Sequence, residues 1–404
     1  MGNVSAKRPS RGIVSKLISL YFFLCPIEFG LNAVLPGGSS IKYLGFVIVL
    51  IVILKNLKRP LKPRFYHIAA ILWILLCFVS LVWTISSDYS ILYLKMYTNI
   101  TFFFIILTVI WHDGTSIKAY LLSAMYGSTM ASILLLAMGT NLEGTTLTRY
   151  TLTIFGAQID PNGAAALIAN GVVIAVYFAM FGAKNKILYS IIVAINLFAI
   201  LFTGSRSGLV AVAFSIGVSL IFYLKKAQHS FRYILGIFII ATLSVLVVVI
   251  TNNILPATIK ERLFKLENYS GGSNRILIWM TLLPYFPARS VFGYGLGSTV
   301  QLTMDIFGKP TGAHNTYLQV LMDVGIIGFV FFIAIILILL QRGIKKKRVI
   351  QLMLIIAAIV PAFFLDSIGQ RNFWNGLILA AVVSNYFDLD KEGESCILVP
   401  GTVQ

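Results

Sequence analysis

Apolar runs of about 18 residues or more recur along almost the whole chain, and each is long enough to cross a bilayer as an α-helix. Of its 404 residues, 58% are hydrophobic and 11% are charged, whereas about a quarter of the residues in a globular domain are charged. Backbone polar groups in a bilayer must be satisfied within the protein, which favours helices. We therefore predict a single all-α polytopic membrane domain over residues 1–404.

Twelve candidate spans follow from this pattern, and we expect short interfacial helices in the longest loop. The first is interpreted as a retained span, because no small-residue cleavage pattern follows it. The predicted spans are 13–35, 41–54, 66–86, 91–111, 117–138, 162–182, 187–203, 207–224, 233–251, 315–341, 349–366 and 372–387.

The net charge of +18 follows from membrane topology better than from nucleic-acid binding, because the cations lie in short loops between spans. With the N-terminus inside, 21 of the 32 cations face the cytoplasm, as the positive-inside rule requires. The inverted topology would place Lys345, Lys346, Lys347 and Arg348 outside. We predict cytoplasmic termini, a loose cytoplasmic tail over 388–404, and no nucleic-acid partner.

The distribution of cysteine, histidine and acidic residues limits the chemistry. Cys25, Cys77 and Cys396 are far apart, so neither a disulfide framework nor a metal site is indicated. No acidic metal cluster and no nucleotide-binding motif occur in the predicted outer loops, and we expect no metal and no cofactor. His314 is the one histidine that this topology places outside.

The predicted large outer loop, residues 252–314, is the strongest candidate for a working surface. Between Thr251 and His314 it carries six cations against three acids. Arg275 begins an amphipathic stretch with Trp279, suited to the outer interface, although a solvated loop charge is the alternative. Arg289 is a further cation of this loop. We expect the glycine-rich stretch at 293–297 to be a flexible turn that returns the loop to the bilayer.

Arg206 stands in a Gly-Ser-Arg-Ser-Gly turn between two apolar runs, at the outer membrane boundary. A charge there is costly and marks either a functional site or a structural pair. Ser205 and Ser207, with the flanking glycines, allow a tight turn whose N–H groups hold an anion. The alternative is a short hairpin whose arginine contacts lipid phosphate.

Other polar residues lie where predicted helices begin. Histidine is the usual proton acceptor among side chains, so His314 is a candidate for that role. Alternatively it caps the helix that starts at Asn315, which Asn315 or Thr316 would do as well. Tyr317 follows it. Asp160 and Asn162 form a turn and helix-start signal, or they contribute to substrate binding. Glu28, Lys95 and Asp366 are either structural pairs or site residues.

In their order and spacing these motifs resemble the O-antigen ligase and O-antigen polymerase superfamily. The motifs are Gly-Ser-Arg-Ser-Gly-Leu, a long outer loop with Arg and Trp, Gly-Tyr-Gly-Leu-Gly, His-Asn-Thr-Tyr-Leu, and Asp-Val-Gly-Ile-Ile-Gly. The resemblance covers essentially the whole chain. Two details depart from the ligases: Val210 stands where they often have leucine, and the Asp-Pro-Asn turn is more like the polymerase branch.

The resemblance implies a membrane glycosyltransferase of the bacterial cytoplasmic membrane with an extracytoplasmic active site. It would move a glycan from an undecaprenyl-diphosphate-linked donor to an acceptor hydroxyl, on another lipid-linked unit or on lipid A–core. A chain-length regulator and membrane lipids are further candidate partners. Arg206 and Arg275 would bind the diphosphate, and His314 would act as general base. Ser205, Ser207, Asn315, Tyr317, Arg289, Asp160 and Asn162 would contact substrate.

Two functions within this class stay open, and the Asp-Pro-Asn turn favours a repeat-unit polymerase over a ligase. We predict inversion at the anomeric carbon, because no carboxylate pair suggests a covalent intermediate. A lipid-linked glycan flippase or transporter is an alternative of another class, but no duplicated halves with matching broken helices stand out. A purely structural assembly protein is disfavoured by the charges within the membrane.

Overall fold

The structure is a computed structural model that describes residues 12–28, 40–56, 61–110, 112–141, 149–151, 153–154, 157–158, 160–182, 184–226, 259–260, 263 and 275–389. The predicted span at 233–251, His229, Cys396, most of 252–274 and the tail beyond Leu389 lie outside these ranges.

The chain is an all-α membrane protein, as predicted. A helix overlaps each predicted span that falls within the described residues. The helices are α1 (Ile13–Leu24), α2 (Ser40–Asn56), α3 (Phe65–Val79), α4 (Ser87–Val109), α5 (Gly114–Met138), α6 (Pro161–Phe181), α7 (Lys186–Phe202), α8 (Arg206–Lys226), α9 (Arg275–Leu282), α10 (Ser298–Phe307), α11 (Thr316–Lys345), α12 (Val349–Ala362) and α13 (Arg371–Leu389).

Among the described residues, five helical segments are both long and apolar enough to cross a bilayer. They are Phe65–Val82, Ser87–Val109, Gly114–Met138, Pro161–Phe181 and Thr316–Lys345. The total of twelve spans stays a prediction.

Helix α6 is the centre of the bundle, and 89% of its most apolar window is buried inside the protein. It packs against α5, α7, α8, α12 and α13. Small residues permit this close approach, as in other membrane bundles. A Cβ added to Gly171 would lie 2.3 Å from the Ser128 Cβ, and one added to Gly208 would lie 2.8 Å from the Ala165 Cβ.

One end of the bundle collects the basic helix termini. The Arg342 guanidinium lies 5.8 Å from the centre of the Tyr66 ring. The Tyr66 hydroxyl donates to Asn385 at 3.0 Å. Arg348 donates to the Ser384 carbonyl at 2.8 Å, and burial lowers the pKa of Arg348 to about 10. Arg342 and Arg348, two of the cations predicted to be cytoplasmic, thus lie at the same end of the bundle.

The segment between α5 and α6 contains short strands that the all-α prediction did not include. Thr140–Asn141 pairs antiparallel with Tyr150–Thr151, and Thr153–Ile154 pairs antiparallel with Ala157–Gln158. These strands are two residues each, so the helical class is unchanged. They bring residue 149 back onto the end of the bundle opposite the basic end, which we call the site end.

Helix α11 is interrupted at Gly325, which has φ 65° and ψ −170°. Four backbone groups freed by the break bond to the segment 290–295. The N–H groups of Ile326 and Ile327 donate to the carbonyls of residues 290 and 291, at 2.8 and 3.3 Å. The carbonyls of residues 322 and 323 accept the N–H groups of residues 294 and 295, at 2.9 and 2.8 Å. The segment 290–295 therefore satisfies backbone groups that would otherwise be buried without partners.

The glycine-rich stretch is a turn, but it is tightly packed instead of flexible, and our expectation on this point was wrong. Gly293, Gly295 and Gly297 all have positive φ and are buried. A Cβ at Gly293 would lie 2.5 Å from the Asp323 backbone, and one at Gly295 would lie 2.3 Å from the Thr84 Cα. Contacts with α11 on one side and Thr84 on the other hold the turn in place.

We predict that Gly325→Ala destabilises the protein by about 2–4 kcal/mol, because this backbone region is essentially limited to glycine and close contacts add to the cost. A Cβ there would lie 2.3 Å from the Val291 carbonyl oxygen. Thermal unfolding in detergent measures the effect. Gly217→Ala is the matched control: Gly217 lies within α8, and a Cβ there would meet no described heavy atom within 4 Å, so its unfolding temperature should be unchanged or slightly raised. Equal melting of the two variants would contradict the prediction.

Candidate active site

Helix α11 begins with Asn315 as its N-cap. The Asn315 Oδ1 accepts the N–H groups of Tyr317 and Leu318 at 3.0 and 3.1 Å. His314 precedes the cap with φ 47°, a left-handed conformation that few non-glycine residues adopt. Capping therefore belongs to Asn315, and the His314 imidazole is left for another role.

The Thr316 hydroxyl bonds the loop that carries Asp366 beside the start of α11. The Thr316 hydroxyl donates to the Leu365 carbonyl at 2.6 Å and accepts the Ser367 N–H at 2.7 Å. This contact fixes the α12–α13 loop on both sides of Asp366. The loop approaches closely at Gly312, where an added Cβ would lie 2.2 Å from Asp366 Oδ2.

His314, Asp366 and Arg275 form one electrostatic cluster. The His314 Nδ1 lies 3.7 Å from the Asp366 Oδ2, and the side chains are 45% and 25% exposed. Burial raises the pKa of the Asp366 carboxyl, although His314, the N–H groups of His314 and Asn315, and the Arg275 guanidinium act in the opposite direction. Two of the three predicted catalytic residues thus share one carboxylate as a neighbour.

Arg275 is brought to this cluster by α9, the predicted amphipathic segment. The Trp279 Nε1 donates to the Ala313 carbonyl at 2.8 Å, so α9 is tied to the residue before His314. Ile278 and Leu282 pack with Leu318 and Met322 of α11 in a small apolar core. The opposite side of α9 exposes its apolar residues Ile276, Leu277 and Met280, as expected for a helix at a membrane interface.

Arg206 begins α8 in the predicted turn, with Ser205 and Ser207 both buried. Arg149, from the segment before α6, contacts the backbone of this turn. Its Nε donates to the Thr203 carbonyl at 3.3 Å, and its NH2 donates to the Asn162 Oδ1 at 2.9 Å. Arg149 therefore joins the Arg206 turn to the start of α6. Ile259 of the large loop packs against Leu201 in the same region.

The Arg206 turn and the His314 cluster belong to the same end of the bundle. Asn162, bonded to Arg149, precedes Gly163, and a Cβ at Gly163 would lie 3.8 Å from the Gln370 Oε1. Gln370 lies in the same α12–α13 loop as Asp366. A continuous series of neighbours thus runs from the Arg206 turn to His314. That all three catalytic candidates open onto one cavity stays a prediction.

Several residues predicted to bind substrate also have structural contacts. Asp160 caps α6 by accepting the N–H groups of Asn162 and Gly163 at 3.3 and 3.0 Å. The Tyr317 hydroxyl donates to the Ile359 carbonyl at 2.9 Å. Arg289 is exposed and stacks over Tyr294 at 5.9 Å, on the side of the turn that contacts α3. Their predicted roles in binding remain predictions.

The sequence left three charged residues as either structural pairs or site residues, and the structure places them differently. Glu28 forms an ion pair with Arg371, which ties the end of α1 to the start of α13. Asp366 joins the His314 cluster. Lys95 lies exposed on α4.

Arg149 and Gln319 were not predicted as site residues. No local sequence signal would have identified Arg149, because its partners are distant in the chain. Gln319 lies one turn after Asn315 in α11 and is buried. A buried glutamine at the start of an apolar span was the available signal.

A comparison with protein families matches residues 191–333 to the O-antigen ligase family. The matched region includes Arg206, Arg275 and His314. These matches confirm the predicted resemblance. The chain is similar to the O-antigen ligase and polymerase superfamily.

Curated relatives agree with this match. A protein of Rickettsia typhi, provisionally named a polysaccharide ligase, is 25% identical over 287 residues, which is 66% of each chain. Similarly named proteins of Rickettsia prowazekii and Rickettsia conorii are 25% and 26% identical over 64% and 47% of each chain. The matches span just under two thirds of the first relative and less of the others.

We predict that Arg149→Lys lowers stability by about 1–3 kcal/mol, the cost of leaving a buried acceptor without its partner. A lysine has a single nitrogen and does not reproduce the fork that reaches Thr203 and Asn162 together. Thermal unfolding in detergent is the measurement. Arg289→Lys, at an exposed arginine of the same end, serves as the control and should melt like the unchanged protein. An unchanged melting temperature for Arg149→Lys would remove its bridging role.

Proposed function

We propose that this protein is an O-antigen-ligase-type glycosyltransferase. It transfers a glycan from an undecaprenyl-diphosphate-linked donor to a hydroxyl of lipid A–core on the extracytoplasmic side of the membrane. The observation that carries the proposal is the cluster of His314, Asp366 and Arg275 at the end of the bundle that also holds the Arg206 turn. The polysaccharide ligase names of the relatives favour the ligase over the polymerase that the Asp-Pro-Asn turn favoured.

The arginines have the chemistry that a diphosphate leaving group requires. As the bond between the anomeric carbon and the phosphate oxygen breaks, negative charge develops on the diphosphate. Guanidinium groups stabilise this charge through paired N–H bonds. Arg275 on α9 and Arg206 at the start of α8 fill this role. The N-terminal end of α8 adds the positive pole of a helix.

His314 takes the proton of the acceptor hydroxyl. Its Nδ1 is directed towards Asp366, so Nε2 is the nitrogen that faces the acceptor. The acceptor oxygen bonds to the anomeric carbon while the diphosphate leaves from the opposite side, and the proton passes to Nε2. One displacement inverts the anomeric configuration. Asp366 orients the imidazole and stabilises its charged form, as a carboxylate does beside other catalytic histidines. No step calls for a metal ion.

Deletion of the gene in its host, followed by gel electrophoresis of the surface polysaccharide, tests the proposal. The loss of a ligase leaves uncapped lipid A–core and an accumulated lipid-linked polymer. The loss of a polymerase would instead leave lipid A–core with a single repeat unit, and that result would contradict the proposed acceptor. A normal polysaccharide pattern would contradict both functions.

We predict that His314→Ala, Arg206→Ala and Arg275→Ala each reduce transfer at least 100-fold, the usual scale for removing a base or an oxyanion donor. Asp366→Asn should lower kcat by at least about 10-fold, the scale of one lost charge-assisted hydrogen bond, and should remove the pH dependence that Asp366 contributes. Because the pKa of Asp366 is raised by burial, its carboxylate is protonated at a higher pH than an exposed aspartate, and transfer should decline as the pH falls through that value. The Asn side chain has no carboxyl group to protonate, so this variant should not show that decline.

Transfer is measured with purified protein in nanodiscs, a polyprenyl-diphosphate-linked polymer and lipid A–core. Lys309→Ala is the control: this cation of the same loop is exposed, and its variant should retain full transfer. Full activity of His314→Ala would remove His314 from the base role. If Lys309→Ala lost as much transfer as the arginine variants, the cations would act by general electrostatic attraction and not as a defined site.

A further inference from the structure

The Asp-Val-Gly-Ile-Ile-Gly segment of α11 has no place in the chemistry proposed above, although it holds a buried acid. Asp323 is 2% exposed and lies more than two turns along α11 from His314. Burying a carboxylate is costly unless it is well bonded. Its partners therefore indicate its purpose.

The Asp323 carboxylate accepts hydrogen bonds from the residues at the start of α10. It accepts the Thr299 N–H and hydroxyl at Oδ1, at 2.8 and 2.6 Å, and the Gly297 N–H at Oδ2, at 3.1 Å. Gln319 Nε2 adds a fourth bond to Oδ2, at 3.2 Å. An acid from α11 thus takes the place of an N-cap side chain for α10.

Gln319 connects the Asp323 carboxylate to the residue that precedes His314. Its Oε1 accepts the Ala313 N–H at 3.0 Å, while its Nε2 is directed to Asp323. The carbonyl of the same Ala313 accepts Trp279 Nε1 from α9. The backbone of this one buried residue therefore contacts the Asp323–Gln319 pair on one side and the helix of Arg275 on the other.

We propose that Asp323 and Gln319 are positioning residues that set the place of His314 and of Arg275 at the same time. The N–H of Ala313 is held by Gln319, which leaves His314 in its left-handed conformation, next to Asp366. Bonding to the Asp323 carboxylate leaves Gln319 one orientation, with its oxygen towards Ala313. The inference rests on the proposed function, because it assigns catalytic roles to His314 and Arg275.

The test compares Gln319→Leu, Asp323→Asn and Gln319→Glu with the double variant Gln319→Glu/Asp323→Asn. In Asp323→Asn, the amide N–H groups of the new side chain face groups that are themselves donors, so those hydrogen bonds are lost. In Gln319→Glu, two carboxylates face each other and repel. In the double variant the Asn amide donates to the Glu carboxylate, whose second oxygen still accepts the Ala313 N–H. The Gly297 N–H loses its acceptor, so the recovery is partial. Gln351→Leu is the matched control, because Gln351 is also buried but bonds the Leu339 carbonyl at 2.7 Å, away from the site.

Each single variant should lower kcat roughly 100-fold, the scale of a small misplacement of catalytic groups, while the KM for donor changes by no more than about threefold, since uniform binding is retained. The double variant should recover at least about 10-fold over either single variant. Gln351→Leu should transfer at the unchanged rate. Additive losses in the double variant, or an equal loss in Gln351→Leu, would overturn the proposal.

Hydrogen exchange measured by mass spectrometry supplies a readout that does not depend on activity. Peptides that cover residues 311–317 should exchange faster in Gln319→Leu than in the unchanged protein, while peptides from α6 stay protected. Unchanged exchange at 311–317 would overturn the link to Ala313, and faster exchange with unchanged kcat would overturn the positioning role. If His314→Ala remains active, the proposed base falls, yet the exchange result still decides whether Gln319 holds Ala313.

Discussion

Within a bilayer, a peptide group that leaves a helix finds no water, so every break in a spanning helix has to be bonded by the protein itself. The break at Gly325 satisfies this requirement through the segment 290–295, which exchanges four backbone hydrogen bonds with α11. The site end depends on this exchange. It fixes the glycine-rich turn against α11, and the turn places α10 over Asp323.

The same requirement, that buried polar groups have hydrogen-bond partners, shapes the other contacts of the site end. Two polar side chains there each bond to more than one group. The Thr316 hydroxyl bonds two backbone groups of the Asp366 loop, and Arg149 bonds two distant segments. Groups with several partners order several segments at once, because moving one breaks the bonds of the others. The loops of the site end are thereby held together by bonds between distant segments, as a preorganised site requires.

Two of the three catalytic candidates are arginines, and the acids near the bundle ends differ in how they are bonded. Asp323 accepts four hydrogen bonds, and Glu28 forms an ion pair with Arg371. Asp366 differs, because its Oδ1 is buried without a hydrogen-bond partner among the residues that the structure describes. Its other oxygen, Oδ2, lies 3.7 Å from the His314 Nδ1, where a negative charge would stabilise the charged form of the proposed base.

Local sequence was enough for the helices, since apolar length and caps are properties of neighbouring residues. It correctly identified the α9 segment, the turn before α8 and the start of α6 at Asp160. It also singled out Arg206, Arg275 and His314 as residues in unusual positions. It did not find the short strands between α5 and α6, which depend on pairing across a loop.

Which residues meet was decided by tertiary structure alone. Asp366 joins His314 because Thr316 bonds its loop, and Arg149 joins Thr203 to Asn162 because a strand pair returns it to the bundle. Gly293 and Gly325 are neighbours because the segment 290–295 bonds the backbone of α11 at its break, and the turn we expected to be flexible is tightly packed there. The sequence by itself determined the membrane helices and the chemistry at their ends, because hydrophobic length and residue type are local. Only packing decided the partners, because hydrogen bonds between distant segments form once the helices have set the distances.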